Sequence, residues 1–235
     1  MIDWSRAETV FLDMDGTLLD LHFDNHFWLE HLPRRYAEAN RLDPDEARTL
    51  ILTMIQAERG TLNWYCTDYW SDRLSLDITR LKAEVGDRIA WRPHVQDFLA
   101  ALRRNRFRTV ILTNCHPDPL RLKLDRTGLD TYVDDIVSSH DLGAAKEDQL
   151  FWQNLRQRDP YHPESALMVD DSFPVLESAL RAGIGQCLAI LEPDSQQPAR
   201  APHPSLPSTR HFDEILPTLH MQGLHPTAIR RRGTV

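Results

Sequence analysis

Cysteine is scarce in this chain. Cys66, Cys115 and Cys187 are the only three, far apart, odd in number and in no CxxC pair. That excludes a disulfide framework and fits a reducing compartment in which the thiols serve as small apolar residues. Long hydrophobic runs are also missing. None exceeds the length of a buried strand, whereas a membrane-spanning helix needs ~20 apolar residues. The first six residues, Met-Ile-Asp-Trp-Ser-Arg, lack the apolar stretch of a secretory leader. Basic charge is in deficit, with 27 Lys and Arg against 35 Asp and Glu and a net charge of -8. A nucleic-acid binder needs a basic face and is not expected. A small phosphorylated substrate stays open, because a bound cation inverts the local field. These absences together predict a cytoplasmic protein with neither a membrane nor a nucleic-acid partner. They leave the oligomeric state open, and no internal repeat is present.

Short apolar runs recur through the chain. Thr9 to Asp15, Thr109 to Thr113, Asp135 to Ser139, Ala166 to Asp170 and Gln186 to Leu191 read as strands covered on both faces, since they are continuously apolar rather than alternating. Helical spacing separates them at Pro93 to Arg104, Pro117 to Arg126, Gln149 to Gln157 and Phe173 to Arg181. Strand–helix alternation predicts an α/β fold, a Rossmann-like, doubly wound and mostly parallel sheet. The interval between the first two strands far exceeds one crossover. It carries helical patterns at Phe27 to Asn40, Asp45 to Glu58, Leu62 to Leu74 and about Thr79 to Val85. We therefore expect a core of residues 1–19 and 91–191, with 20–90 as an α-helical cap inserted after strand 1. Residues 192–235 hold seven prolines and end in Arg230-Arg-Arg232. They predict a partly irregular extension with a short helix near Phe212 to Leu219 and a solvated arginine tail.

Polar groups stand at the strand ends: Asp13 and Asp15, Thr113 and Asn114, Lys146, and Asp170 with Asp171. In a parallel sheet those ends share one edge, where open α/β sheets bind ligands. Several carboxylates there repel one another and are costly to desolvate unless a cation joins them. An all-oxygen set with few protein ligands suits Mg²⁺. With Lys146 added, the site suits a phosphoryl group.

Asp13-Met-Asp-Gly-Thr17, Thr113 after Val110-Ile-Leu, Lys146 before Glu147-Asp148, and Val169-Asp-Asp-Ser172 resemble, in order, the four motifs of the haloacid dehalogenase-like hydrolase superfamily. The resemblance spans about residues 8–191. It implies Asp13 as nucleophile and Asp15 as general acid and then base. It implies Thr113, Asn114, Lys146 and Gly16 around the phosphoryl group. Mg²⁺ would be held by Asp13, Asp15 through its carbonyl, Asp170 and Asp171. The superfamily's dehalogenases lack a carboxylate at the Asp15 position, so phosphoryl chemistry is favoured. Asp20 to Trp28, Thr61 to Trp70, Leu112 to Pro117 and Lys146 to Gln149 look like the bacterial GMP/IMP 5′-nucleotidase branch. That implies a purine nucleoside monophosphate as the small-molecule substrate. Two other readings stay open: a sugar-phosphate phosphatase or phosphomutase of the same superfamily, and a receiver-like phospho-accepting module. The order of the motifs argues against the receiver.

Other residues have blander readings. Trp64, Tyr65, Tyr69 and Trp70 recur at helical spacing and read first as cap core, with one stacking on a purine base as the sharper alternative. Phe23, Asp24, Asn25 and His116 lie close enough in sequence to the motifs to line the cleft. His22 and His26, four apart, match a metal pair on a helix but lack a third ligand nearby.

Overall fold

A computed structural model describes residues 2–216, 218 and 219. Its sheet has six parallel strands: β1 (Thr9–Leu12), β2 (Arg108–Thr113), β3 (Asp135–Ser138), β4 (Ala166–Asp170), β5 (Gln186–Ile190) and β6 (Ser208–Thr209), in the spatial order β3-β2-β1-β4-β5-β6. The central strands are continuously apolar because successive side chains enter two different cores. Val10 and Leu12 of β1, Ile111 of β2, and Leu167 and Val169 of β4 face one layer, with Phe98, Leu99 and Leu102 of α7 (Val95–Arg104). Phe11, Val110, Leu112 and Met168 face the other, with Phe151, Trp152, Val175 and Leu176.

Helices α1 (His22–His26), α2 (Leu32–Asn40), α3 (Pro44–Ala57), α4 (Leu62–Tyr65), α5 (Thr67–Leu74) and α6 (Ile78–Glu84) lie between β1 and α7, in the interval expected to be the cap. Phe23, Phe27, Leu32, Ile51, Trp70, Leu74 and Ile78 give it a core of its own. α3 starts where a sequence reading expects: Asp43 accepts from the N–H groups of Asp45 and Glu46, and Pro44 occupies the first turn. Two boundaries differ from expectation. The first helical stretch begins at His22 rather than Phe27 and passes through a wider π-type turn at Phe27–His31. The expected helix from Leu62 to Leu74 is two, broken at Cys66, whose backbone is extended (φ -83°, ψ 110°) and whose sulfur accepts from the Tyr69 N–H. A side chain that caps the second helix ends the first.

The remaining helices are α8 (Pro117–Thr127), α9 (Ser139–Leu142), α10 (Gln149–Arg158) and α11 (Phe173–Arg181). The segment after Leu191 is more ordered than its proline content suggests. It supplies β6 beside β5, and Leu206, Phe212 and Leu219 are buried. Phe212 stacks on Phe98 at 4.2 Å. The expected helix near Phe212 begins as one tight turn over Phe212–Glu214. Arg230 to Arg232 lie outside the described residues.

Candidate active site

The register of three neighbouring strands builds the site. Leu12 of β1 lies opposite Ile111 of β2 and Val169 of β4, and the Asp13 N–H continues the ladder to the Val169 carbonyl at 2.9 Å. The C-terminal ends of β1, β2 and β4 therefore present Asp13, Thr113 and Asp170 side by side, all buried. Lys146 arrives from the loop before α10. Its N–H donates to Asn114 Oδ1 at 2.9 Å and its carbonyl accepts from Trp152 Nε1 at 3.0 Å. So anchored, its ammonium donates to Asp13 Oδ1 (2.5 Å), Asp170 Oδ2 (2.7 Å) and the Leu112 carbonyl (3.0 Å).

Asp13, Asp170 and Asp171 offer oxygens within 4.8 Å of one another. Asp13 Oδ2 is buried with no hydrogen-bond partner among the described residues. Burial raises the Asp13 carboxyl to about 7, Lys146 opposing and Asp170 reinforcing the shift. Burial likewise raises Asp170 to about 6, against Lys146, and Asp171 to about 7, with the charge of Asp13 adding to it. Lys146 is held charged, above its usual range: burial disfavours the ammonium, but Asp13 and Asp170 outweigh that cost. A trio of crowded carboxyls with one orphaned oxygen fits a hard divalent cation with oxygen ligands.

Asp15 turns away from that trio. Its Oδ1 meets Lys123 Nζ at 2.7 Å, Lys123 meets Asp24 Oδ2 at 2.7 Å, and Asp24 Oδ1 meets Lys82 Nζ at 2.6 Å. Lys82 lies over the rings of Phe23, Phe27 and Trp28 at 4.7 to 5.2 Å, a favourable cation–π setting. Burial raises the Asp15 carboxyl despite Lys123. Burial alone would raise Asp24 too, but Lys123 and Lys82 together hold it below the usual range.

The other expected residues fall into distinct roles. Thr113 Oγ1 accepts from the Cys115 N–H at 3.0 Å, which leaves its hydroxyl proton to donate. The Asn114 amide is engaged at both ends: Oδ1 takes the Lys146 N–H and Nδ2 donates to Glu147 Oε2 at 3.0 Å. It thereby orients the Lys146 loop, with the second Nδ2 proton of the amide not used by these two bonds. The Gly16 N–H is also committed, donating to the Leu19 carbonyl at 2.8 Å. What Gly16 contributes is space: its φ is +90°, and a Cβ there would stand 2.8 Å from Asp171 Cγ.

Among the aromatic candidates, Trp70 is fully buried and donates to the Trp64 carbonyl, and Tyr69 donates to Glu58. Tyr65 is the one that reaches the motif residues, through Glu147 Oε1 at 2.7 Å. Phe23 belongs to the cap core, and Asn25 donates to Asp194 Oδ2 at 2.7 Å. His22 and His26 are not a ligand pair. Their rings are 6.1 Å apart, and each has its own carboxylate, Asp194 and Glu30. Hollows of about 580 Å³, beside His26 and Glu84, and about 470 Å³, beside Arg103 and Tyr132, include none of the strand-end carboxylates.

Sequence reasoning missed Lys123 and Arg200. Lys123 stands between Leu122 and Leu124 and reads as a solvated lysine, yet Pro119, four residues earlier on the same helix face, is buried as well. That spacing was the available signal. Arg200 Nη2 reaches the Asp171 carbonyl (2.6 Å) and Oδ2 (3.2 Å) and the Ile190 carbonyl (3.1 Å), from a segment whose composition gave no hint of structure.

Residues 7–183 match the family of haloacid dehalogenase-like hydrolases. The chain is 39% identical over 218 residues to the GMP/IMP nucleotidase YrfG of Escherichia coli (strain K12), covering 93% of this chain and 98% of that one. Among solved structures it resembles a HAD phosphatase from Thermococcus onnurineus, with a TM-score of 0.76, 22% identity, and 90% and 97% of the two chains covered. It also resembles a putative β-phosphoglucomutase from Thermotoga maritima, with a TM-score of 0.62, 19% identity, and 91% and 99% covered. At those identities the two structures speak for the fold alone.

Proposed function

This chain belongs to the haloacid dehalogenase-like hydrolases, and from that premise we propose that it is a Mg²⁺-dependent 5′-nucleotidase that removes phosphate from GMP and IMP through a phospho-enzyme on Asp13. One observation carries the chemistry. Asp13 is buried at the end of β1, with one oxygen held by Lys146 and the other, beside Asp170 and Asp171, without a partner among the described residues. The likeness over nearly the whole length of the GMP/IMP nucleotidase supports the substrate class.

In this reading the Asp13 carboxylate attacks phosphorus, and the bond from phosphorus to the 5′ oxygen breaks. Asp15 gives its proton to that oxygen as the nucleoside leaves. Burial pushes its carboxyl above the usual range, the direction a general acid needs. Water then attacks the aspartyl phosphate, Asp15 takes the proton back, and inorganic phosphate departs with Asp13 regenerated. Lys146 neutralises charge on Asp13 and the phosphoryl oxygens, and the Thr113 hydroxyl donates to one of them. Asp13, Asp170, Asp171 and the Asp15 carbonyl would hold Mg²⁺, whose charge would screen the repulsion between these carboxylates and a phosphoryl group.

Asp13→Asn tests the mechanism. We expect phosphate release to fall by roughly 10⁴-fold or more, with the fold retained and the acyl phosphate seen in rapid-quench samples of the wild type gone. Near-normal release by the variant would remove Asp13 from the mechanism. A panel of nucleotides and sugar phosphates tests the substrate. We expect the highest kcat/KM with GMP and IMP. An isomerised sugar phosphate formed without free phosphate would move the protein to the mutases.

A further inference from the structure

Cys66, His116 and His140 take no part in the chemistry above, yet they meet. Their ligand-capable atoms lie within 4.8 Å of one another, and all three residues are half-buried. They come from separate places: Cys66 from the break between α4 and α5 in the cap, His116 from the turn after β2, and His140 from α9 after β3. The two rings meet edge-on, with centroids 4.8 Å apart. One thiol and two imidazoles form a donor set that Zn²⁺ and other thiophilic divalent ions take and that Mg²⁺ does not.

Independent features point to a ligand at this spot. His140 Nε2 is shut off from solvent and has no hydrogen-bond partner among the described residues. A buried polar atom left unsatisfied costs free energy unless something fills its lone pair. Burial, with His116 adding to it, lowers His140 to about 4, so its imidazole is neutral near pH 7 and available as a donor. The second ring is steered from outside through one nitrogen, His116 Nδ1 standing 2.7 Å from Thr67 Oγ1, while Nε2 makes no hydrogen bond among the described residues and has only the exposed Asp68 at 3.6 Å. Such outer partners fix the orientation of metal-binding histidines. Cys66 sits at the start of α5, where its sulfur is fixed by accepting the Tyr69 N–H at 3.4 Å.

We propose that Cys66, His116 and His140 form a second metal site, for Zn²⁺ or a comparable thiophilic divalent ion, separate in donors and position from the acidic trio. Binding releases the Cys66 thiol proton to solvent and takes both imidazoles neutral. Water completes the fourth position. Bond lengths of about 2.3 Å for sulfur and about 2.0–2.1 Å for nitrogen require the three side chains, now within 4.8 Å of one another, to draw closer. Because Cys66 belongs to the cap and the histidines follow core strands, an ion here ties the α4–α5 corner to the ends of β2 and β3.

The test is optical titration of the full-length protein with Co²⁺ at saturating Mg²⁺. We expect one Co²⁺ per chain with a near-ultraviolet sulfur-to-cobalt charge-transfer band and the strong visible absorption of a four-coordinate ion, both bleached by Zn²⁺. Cys66→Ser should abolish the charge-transfer band, whereas Cys115→Ser and Cys187→Ser should keep it. His140→Ala should weaken Co²⁺ binding by roughly tenfold or more. Two outcomes overturn the proposal: weak six-coordinate absorption without a charge-transfer band in the wild type, as an oxygen-only site gives, or a band that survives Cys66→Ser.

Discussion

Two lysines are buried in this molecule between pairs of aspartates, and they are held in different ways. Lys146 lies between Asp13 and Asp170, which stand at the ends of adjacent parallel strands. Lys123 lies between Asp15, from the sheet edge, and Asp24, from α1 of the cap, and Lys82 of α6 grips Asp24 in turn. The first cluster is fixed by sheet register and persists while the sheet persists. In the second, the Lys123–Asp15 pair joins a core helix to the sheet edge, and Asp24 and Lys82 add to it from the helices between β1 and α7. The residue we assign as nucleophile thus belongs to the cluster set by strand register, and the proton-handling residue to the one that also draws on Asp24 and Lys82. A carboxyl that must be protonated, and later deprotonated, is aligned by a lysine that the cap helps to hold.

Lys146→Met should break the first cluster with the largest effect. It strands Asp13 and Asp170 without their cation, a loss of about 3–5 kcal/mol when a buried pair is broken. It also removes a fixed positive group from the reaction, roughly 10²–10³-fold in kcat. Chemical denaturation and steady-state phosphate release measure the two losses. Normal stability in the variant would mean that the cluster is not held by this lysine.

Lys123→Met should be milder in stability, because Asp24 keeps Lys82. Its kinetic loss should be about 10–10²-fold, on the scale of one misaligned proton-transfer group. Burial and the Asp24 charge already push Asp15 upward against Lys123. Without the lysine, the alkaline limb of the kcat profile, where the acid loses its proton, should move to higher pH. An unchanged limb would detach Lys123 from Asp15 function.

The difference between the clusters explains what could be read from sequence. Asp13, Thr113 and Asp170 are legible because each terminates a run of apolar residues, and parallel strands align their ends without further information. Lys146 became legible through its neighbours in the motif order. Lys123 did not, because a lysine among leucines on a helix has a default reading with its ammonium in solvent, and its partners sit on elements whose packing no local pattern specifies. Ser208–Thr209 was invisible for a different reason. An edge strand of two residues is too short for periodicity, and Pro204 and Pro207 beside it read as loop. Gly16 and Asn114 were found as site residues, but their roles depend on which hydrogen bonds the fold had already used.

Titration should separate the acidic trio from Asp24 by sign. Asp13, Asp170 and Asp171 have native values of about 7, about 6 and about 7, all raised from 3.8. The folded protein therefore binds more protons than the unfolded chain across that interval. Stability from these groups is fully present below pH ~4 and is lost as pH rises through their folded values. Asp24 is depressed, so its contribution is present above its unfolded value and is lost only in acid. The melting temperature gained on adding Mg²⁺ should accordingly be larger at pH 8 than at pH 5, since the cation replaces protons at the trio. A gain independent of pH would mean that Mg²⁺ does not bind those carboxylates. Removing Mg²⁺ with a chelator should stop phosphate release at either pH and spare the fold.

Arg200 gives the comparison its weakest member and its finest test. It is a third cation beside the site, but it approaches Asp171 from the C-terminal segment and its side chain is 40% exposed. Water screens such a pair, which limits its worth to about 1 kcal/mol or less. Arg200→Gln should leave global stability nearly unchanged, because the two carbonyl contacts it loses anchor its own segment and not the sheet. Its charge opposes a cation at Asp171, so removing it should lower the Mg²⁺ concentration for half-maximal activity by at most roughly fivefold. If more Mg²⁺ were needed instead, Arg200 would be acting by holding Asp171 in position, and the outer cation would belong with the first cluster after all.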